Sequence, residues 1–303
     1  MAKNSSVNKT AARVLTWSDH VTRFSASLDT LERSPKTIQA YQGELARFAA
    51  WFRAANDEEP SIQGITGSDL LEFKRAMIAR ECGPATVNRA MAAVKSLLRW
   101  GRADLPDIPK RIRQVPELLR WLEPAEQRRL FRVVEQSGNK RDLAIVRILI
   151  NTGLRVAELV ALEWRDVEIS ERKGRLTVRF GKGAKWRTIP LVPVIRDAFN
   201  ALKAGVEPDP RARVFQGPRG PIGTRAVQHM LDKYAPAAKL ESLTPHMLRH
   251  TFCKNLERAG VSLPEIARLA GHSSILTTQR YLTPSEGDIE RAMDRLGADD
   301  PAR

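Results

Sequence analysis

The sequence predicts a mainly α-helical protein with a small antiparallel β-sheet, built as an N-terminal helical bundle followed by an α+β domain. The first third of the 303 residues shows repeated helix starts and helical apolar spacing, with no segment typical of a strand. The stretch "ADLPDIPKRIRQVP" holds three prolines, which neither a long helix nor a regular strand tolerates. Two segments further on alternate apolar and polar residues around a glycine turn, a pattern that predicts a hairpin.

Amphipathic helices account for the first domain, which we place at residues 15–105. One helix is predicted in "WSDHVTRFSASL", the next starts at Ser34, and others start at Ser68 and Pro84. Serine is a favoured N-cap, and proline fits the first helical turn. Apolar residues of the second helix recur at helical spacing and form one face, consisting of Ile38, Tyr41, Leu45, Phe48 and Phe52. This domain should be a small bundle of about four helices.

A linker at 106–116 leads to the second domain at 117–303. Helices are predicted in "EPAEQRRLFRVVEQ", "KRDLAIVRILINTG" and "VAELVALEW". The hairpin strands are "RLTVRF" and "RTIPLV", which flank the turn "GKGAKW". Trp186 at the end of that turn is expected to pack against the hairpin.

The charge of the chain indicates a polyanionic partner. The sequence has 50 Lys and Arg residues against 35 Asp and Glu residues, which gives a net charge of +15. Such an excess favours DNA or RNA as the partner, and a solvated basic surface without a partner is the alternative.

Other features of the composition exclude several classes of protein. Cys82 and Cys253 are far apart, so we expect two buried, unreactive thiols rather than a disulfide framework or a zinc site. No apolar run approaches the roughly 18 residues that span a bilayer. The first residues lack the apolar stretch of a secretory signal. We therefore expect a cytoplasmic protein, associated with the nucleoid, that does not enter a membrane.

The motif "TPHMLRHTF" at 244–252 brings histidines and an arginine to one helical face. Thr244 is a good N-cap and is followed by proline, so a helix should start here and end near Gly260. His246 and Arg249 are three residues apart and should point the same way. His250 borders that face, and packing or a backbone hydrogen bond is its expected role.

Further residues extend this motif into an ordered set. "NTGLRVAELVAL" places Arg155 at the start of a helix, and "GKGAKW" places Lys182 on the hairpin. After the motif comes a helix with a capping box at its start and a glycine at its end, followed by His272 and Tyr281. In this order the chain resembles the tyrosine recombinase family, the phage-integrase and Xer-type enzymes, whose site consists of Arg, Lys, His-x-x-Arg, His and Tyr.

The resemblance covers residues 117 to 290 and implies a catalytic set of Arg155, Lys182, His246, Arg249, His272 and Tyr281. Glu158 is its expected acidic support. The resemblance also places the first domain in the position of the family's DNA-clamping, SAM-like core-binding domain. The implied activity is site-specific recombination of double-stranded DNA through 3′-phosphotyrosyl intermediates and a Holliday junction. The implied assembly is a tetramer on DNA, of this chain alone or together with a related recombinase.

The chemistry explains why these residue types occur together. A tyrosine that displaces a sugar hydroxyl keeps the bond energy in a phosphotyrosyl bond, so no cofactor is expected. Two guanidiniums, Arg155 and Arg249, can stabilise the charge on the phosphate oxygens, and no metal is expected. Lys182 takes the role of proton donor to the leaving oxygen by resemblance, with Lys185 as its local rival. A neighbouring imidazole or the scissile phosphate has to accept the proton of Tyr281, and His246 is the candidate; His272 is the candidate hydrogen-bond donor.

Two other functions use parts of the same pattern. A type IB topoisomerase would relax DNA by similar chemistry, and a catalytically silent module would only bind it. The complete set of six residues argues against the silent module, and the chain length favours a compact Xer-like or simple mobile-element recombinase. A tail helix is expected from about residue 285, with Ile289, Met293 and Leu296 on its apolar face. In the family this segment commonly docks onto a neighbouring protomer, and packing against its own domain is the alternative.

Overall fold

The computed structural model describes residues 15–101, 104–113, 119–179, 186–203, 205, 207–272 and 293. The chain divides into two compact units, Met1–Pro116 and Glu117–Arg303. Among the described helices, none has the length and apolarity that a membrane crossing requires.

The described part of the first unit contains four helices: α1 (Trp17–Thr30), α2 (Pro35–Asn56), α3 (Gly67–Ala79) and α4 (Pro84–Gly101). The predicted apolar face of α2 points inward, with Leu45, Phe48 and Phe52 buried. The Phe48 ring meets Phe73 of α3 edge to face, with 5.0 Å between centroids, a favourable geometry for aromatic pairs. The apolar face of α2 thus forms the centre of the helical unit.

Local capping explains where these helices begin. The side chain of Ser34 accepts a hydrogen bond from the backbone N–H of Thr37 and starts α2 as predicted. Helix α3 starts at Gly67, not at the predicted Ser68, because Thr66, two residues before Ser68, is the N-cap and forms a capping box with Asp69.

The segment 104–113 contains neither helix nor strand and packs against the helical unit. Ile108 and Ile112 lie on its core. The Asn88 side chain bonds both backbone groups of Ile112, at 2.8 Å to the carbonyl and 2.9 Å from the N–H. These bonds attach this part of the chain to α4.

The second unit is α+β. Its helices are α5 (Pro124–Gln136), α6 (Lys140–Thr152), α7 (Val156–Ala161), α8 (Pro193–Lys203), α9 (Thr224–Tyr234), α10 (Pro245–Arg258) and α11 (Leu263–Ala270), with a 3₁₀ turn at Trp164–Asp166. Its strands are β1 (Val167–Ile169), β2 (Gly174–Val178), β3 (Arg187–Pro190), β4 (Gln216–Gly217) and β5 (Gly220–Pro221). The fold class predicted from the sequence is confirmed.

A three-stranded antiparallel sheet contains the predicted hairpin. Strand β2 pairs with β3, with Leu176 opposite Ile189, and with β1 on its other edge. Strand β1 and helices α8 and α9 were not singled out in the sequence, and the predicted helix "VAELVALEW" ends early, at Ala161. The predicted packing of Trp186 is wrong, because 69% of its surface is exposed.

The core of this unit forms around α6, a helix with eight of its 13 residues buried, which packs on α8 and α10. Gly153 ends α6 with a φ of +61°, and a Cβ at this position would lie 2.2 Å from Cδ1 of Phe252 in α10. Only glycine therefore allows this contact between α6 and α10. Cys253 is buried beside it, and Cys82 is half-buried.

Candidate active site

Helix α10 carries the H-x-x-R motif into the second unit. Thr244 caps the helix by accepting a hydrogen bond from the N–H of Met247 at 3.2 Å. His246 lies on the exposed side of the helix, whereas Arg249 is only 4% exposed. The histidine therefore faces outward above a buried guanidinium.

Arg249 joins the ends of two helices. Its Nη1 donates to the carbonyl of Gly153 after α6 at 2.5 Å, and its Nη2 donates to the carbonyl of Ala270 in α11 at 2.6 Å. Carbonyls at helix C-termini lack intrahelical partners and carry partial negative charge, so they stabilise a buried cation. Burial and the nearby Arg155 lower the pKa of Arg249 to about 10, which still leaves it charged at neutral pH.

Arg155 stands at the start of α7 and is held by Glu158. Its backbone N–H donates to Oε2 of Glu158 at 2.8 Å, and its Nη1 donates to Oε1 at 2.9 Å. Its Nη2 donates to the carbonyl of Gly271 at 2.8 Å. The side chain of Arg155 remains 42% exposed, so this fixed guanidinium can still meet a ligand.

Arg187 in β3 completes the cluster and was missed in the sequence. Its Nη1 and Nη2 donate to the two oxygens of Glu158 at 3.0 and 2.8 Å. Its Nε donates to the carbonyl of Leu269 at 3.0 Å, and its side chain is 12% exposed. Arg187 shares a strand face with the buried Ile189, and a charged residue on an inward face needs a buried partner. The alternation of inward and outward residues along this strand was therefore the sequence signal that could have identified Arg187.

The end of α11 organises all three arginines. Arg187, Arg249 and Arg155 donate to three successive carbonyls, those of Leu269, Ala270 and Gly271. Gly271 has a φ of +68°, and a Cβ there would lie 2.7 Å from Nη1 of Arg187. Because this terminus fixes the guanidiniums relative to His272, the next residue, it acts as the scaffold of the site.

Glu158 balances only part of this positive charge. Burial alone would raise its pKa, but the bonds from Arg187 and Arg155 hold the pKa of this carboxyl below its ordinary value. It is therefore ionised at neutral pH. In the described part of the site, one carboxylate among three guanidiniums leaves an excess of positive charge, which suits an anion such as a phosphodiester.

Both predicted histidines are neutral at pH 7. Partial burial, followed by the charges of Arg249 and Arg155, lowers the pKa of His246 below its ordinary value. The same causes lower the pKa of His272 to about 4. A neutral imidazole has one nitrogen that accepts a proton and one that donates a hydrogen bond. The ring of His250 stacks near that of His246, with 6.0 Å between centroids.

The protein should lose stability as the pH falls from 6.5 towards about 4, partly because of His272. Below pH 6.5 the unfolded chain protonates this imidazole, whereas the folded chain does so only near pH 4. Protonation in this window therefore favours unfolding. Urea unfolding at several pH values measures this effect. The free energy of unfolding should fall less on acidification for His272→Asn than for the parent. His229→Asn, an exposed change in α9, is the control, and equal slopes for all three proteins would contradict the prediction.

Lys182, Lys185 and Tyr281 lie outside the described residues, as does the predicted tail helix apart from Met293, which is 61% exposed. Arg155, Glu158, His246, Arg249 and His272 are brought to one place around the end of α11. Among the described residues, no group of three His, Cys, Asp or Glu side chains could hold a metal ion.

Tyr234, a rival nucleophile by residue type, has a structural role. Its hydroxyl is buried and donates to Oδ2 of Asp142 at 2.9 Å. Burial is the main cause that raises the pKa of Tyr234; the hydrogen bond with Ser137 opposes it, and the hydrogen bond to Asp142 and the charge of Asp142 raise the pKa further. This hydroxyl is thus held away from solvent in its protonated form.

Comparison with known families gives matches in both units. The Phage integrase family matches residues 120–287, and the Phage integrase, N-terminal SAM-like domain matches residues 21–103. The chain is 31% identical over 288 residues to the tyrosine recombinase XerC of Roseiflexus sp. (strain RS-1), covering 87% of this chain and 88% of the relative. It is 29% identical to the tyrosine recombinase XerA of Thermococcus kodakarensis, with 91% and 94% covered.

Solved structures show the same fold. A crystal structure of XerA recombinase is 26% identical, with a TM-score of 0.52, and the match covers 92% of this chain and 98% of that one. XerH bound to a palindromic difH substrate in a post-cleavage complex has a TM-score of 0.73 at 19% identity, with 93% and 85% covered.

Proposed function

This chain belongs to the phage integrase family of tyrosine recombinases, and we propose that it exchanges DNA strands at specific sites as an Xer-like recombinase. The strands are cut and rejoined through a 3′-phosphotyrosyl intermediate, one strand pair at a time, via a Holliday junction. The observation that carries this proposal is the cluster of Arg155, Arg187 and Arg249 at the end of α11, where Glu158 pairs with the first two. The relatives compared are recombinases, which favours strand exchange over DNA relaxation or silent DNA binding.

The scissile phosphate binds at Arg155 and Arg249. Each Nη of a guanidinium carries two N–H groups, so the bonds of Arg249 to helix carbonyls leave further donors for a ligand. As the phosphorus becomes five-coordinate, charge grows on its non-bridging oxygens. Guanidiniums fixed in advance stabilise that charge without first reorganising, which accelerates the reaction.

Proton transfers accompany the exchange of bonds at phosphorus. The Tyr281 oxygen forms a bond to phosphorus while the bond to the 5′-oxygen breaks, and His246 accepts the tyrosine proton. The lowered pKa of His246 supports this role, because the imidazole is neutral before the reaction. Lys182 donates a proton to the leaving 5′-oxygen, and His272 donates a hydrogen bond to a non-bridging oxygen. Attack by a second 5′-hydroxyl reverses the steps and rejoins the DNA.

A sulfur substitution tests the proton donor and, with it, the reaction. Lys182→Ala should cleave an ordinary DNA strand very slowly and should recover on a substrate with a 5′-bridging phosphorothiolate, because sulfur leaves without a proton. Adduct formation on denaturing gels measures the recovery. Lys185→Ala is the matched control and should cleave both substrates alike. Recovery of the Lys185 variant instead would show that Lys185 is the donor.

The partner is double-stranded DNA, which the net charge of +15 supports. The duplex is clamped by two domains, residues 15–105 and 117–303, which the linker at 106–116 joins. Four protomers assemble on paired sites. The tail from about residue 285 joins one protomer to the next, so that assembly controls when Tyr281 reacts. The place of action is the nucleoid in the cytoplasm.

A further inference from the structure

A second buried carboxylate holds two arginines in the helical unit. Glu44 of α2 is 3% exposed. Its Oε2 accepts from Nη1 of Arg47, one turn along the same helix, at 2.5 Å. Its Oε1 accepts a hydrogen bond from Nε of Arg89 in α4 at 2.8 Å and forms an ion pair with Nη2 of Arg89, also at 2.8 Å. One carboxylate thus fixes guanidiniums from two helices.

The two guanidiniums face outward although their partner is buried. The side chains of Arg47 and Arg89 are 44% and 47% exposed. A buried carboxylate is costly unless it is paired, and an apolar residue could join two helices without that cost. Glu44 instead holds the exposed guanidiniums of Arg47 and Arg89 in fixed positions. Each side chain therefore loses less conformational entropy when it binds an anion.

Donors remain for such an anion. Glu44 uses Nη1 of Arg47 and only Nε and Nη2 of Arg89. Within the described part of the chain, Nη2 of Arg47 and Nη1 of Arg89 have no other protein partner. The group as a whole carries two positive charges and one negative charge, so a net attraction for anions remains.

Gly43 leaves the surface of α2 without a side chain next to the two arginines. It lies inside the 22-residue helix α2, where glycine is about 1 kcal/mol less favourable than alanine. A Cβ at Gly43 would have nothing within 4 Å, and its φ is not positive, so no described contact or backbone strain requires glycine. Gly43 and Arg47 are four residues apart and share a face of the helix. The missing side chain therefore leaves room for something outside the chain.

We propose that Gly43, Arg47 and Arg89 form a seat for a backbone phosphate of duplex DNA, with Glu44 as the positioning residue. Guanidinium forks match phosphate oxygens, and a stiff duplex needs close access to the helix surface, which Gly43 provides. The inference rests on the proposed function, since it assigns one contact of the same DNA.

Glu44→Gln separates positioning from simple charge. The change removes a negative charge next to the seat, so charge alone predicts tighter binding, whereas loss of positioning predicts weaker binding. We expect the full-length variant to bind a labelled random-sequence duplex of about 30 base pairs roughly tenfold more weakly. The slope of log affinity against log salt should become shallower by about one, measured by anisotropy between about 50 and 200 mM KCl.

Gly43→Ala provides an independent test that does not depend on a buried group. The substitution should raise the melting temperature by roughly 2 to 4 °C, because alanine favours the helix and meets no neighbour. Binding to the same duplex should nevertheless weaken several-fold, because the methyl group occupies the seat. Opposite changes in stability and affinity would not arise from general damage to the fold.

Arg53→Ala is the matched control. Arg53 also belongs to α2 and pairs with a glutamate, Glu59, but both partners of this 2.8 Å ion pair are exposed. Arg53→Ala should lower the affinity for the duplex less than Arg89→Ala does. If Gly43→Ala, or a folded Glu44→Gln, binds DNA as tightly as the parent at every salt concentration, the seat is refuted while the proposed recombinase stands. If the parent itself does not bind the duplex, the proposed function is refuted as well.

Discussion

Tyr281→Phe is expected to bind duplex DNA like the parent chain and to form no covalent protein–DNA adduct. The substitution removes one oxygen atom, which is the nucleophile of the proposed reaction, and leaves the aromatic ring. Cleavage of a nicked substrate that traps the covalent intermediate should fall to the background level. Denaturing gels with end-labelled DNA measure the adduct, and a mobility-shift assay measures binding.

Tyr234→Phe is the control for this experiment. It removes the hydrogen bond to the buried Asp142 and should cost about 1–3 kcal/mol of stability. The folded fraction should still form the adduct, because this hydroxyl is held inside the core. An adduct that persists in Tyr281→Phe and disappears in Tyr234→Phe would reverse the assignment of the nucleophile.

Arg249→Lys is expected to slow strand cleavage by about 100- to 1000-fold, as loss of a preorganised donor to a developing charge does in other enzymes. Lysine keeps the positive charge but cannot bond the carbonyls of Gly153 and Ala270 and a phosphate in one fixed plane. Single-turnover cleavage at saturating protein measures the chemical step separately from DNA binding.

Arg258→Lys provides the comparison on the same helix. Arg258 pairs with Glu123 at 2.9 Å and takes no part in the cluster at the end of α11. The same chemical change there should leave the cleavage rate nearly unaltered. If both variants cleave at the rate of the parent, a fixed guanidinium at position 249 is not needed for the reaction.

The sequence by itself determined the fold class and the local position of most site residues. Thr244 and the proline after it start α10, and Gly271 ends α11, because capping depends on neighbouring residues and on backbone angles that glycine adopts readily. Helical spacing put His246 and Arg249 on one face. The ordered motifs indicated the family, which the comparisons confirm. All of these signals span only a few residues.

Only the tertiary structure decided how the site is held together. The bond from Arg155 to Gly271 joins residues 116 apart in the chain, and the bonds from Arg187 to Glu158 join residues 29 apart. Arg187 was not predicted as a site residue because its partners are a carboxylate on another element and a backbone carbonyl. No residue type in the sequence indicates which backbone carbonyl will accept a bond. The exposure of Trp186 was not foreseen, because the sequence of a turn does not tell which of its side chains other elements cover. Packing of α6, α10 and α11 sets these contacts, since folding alone brings helix ends that are distant in sequence to one point.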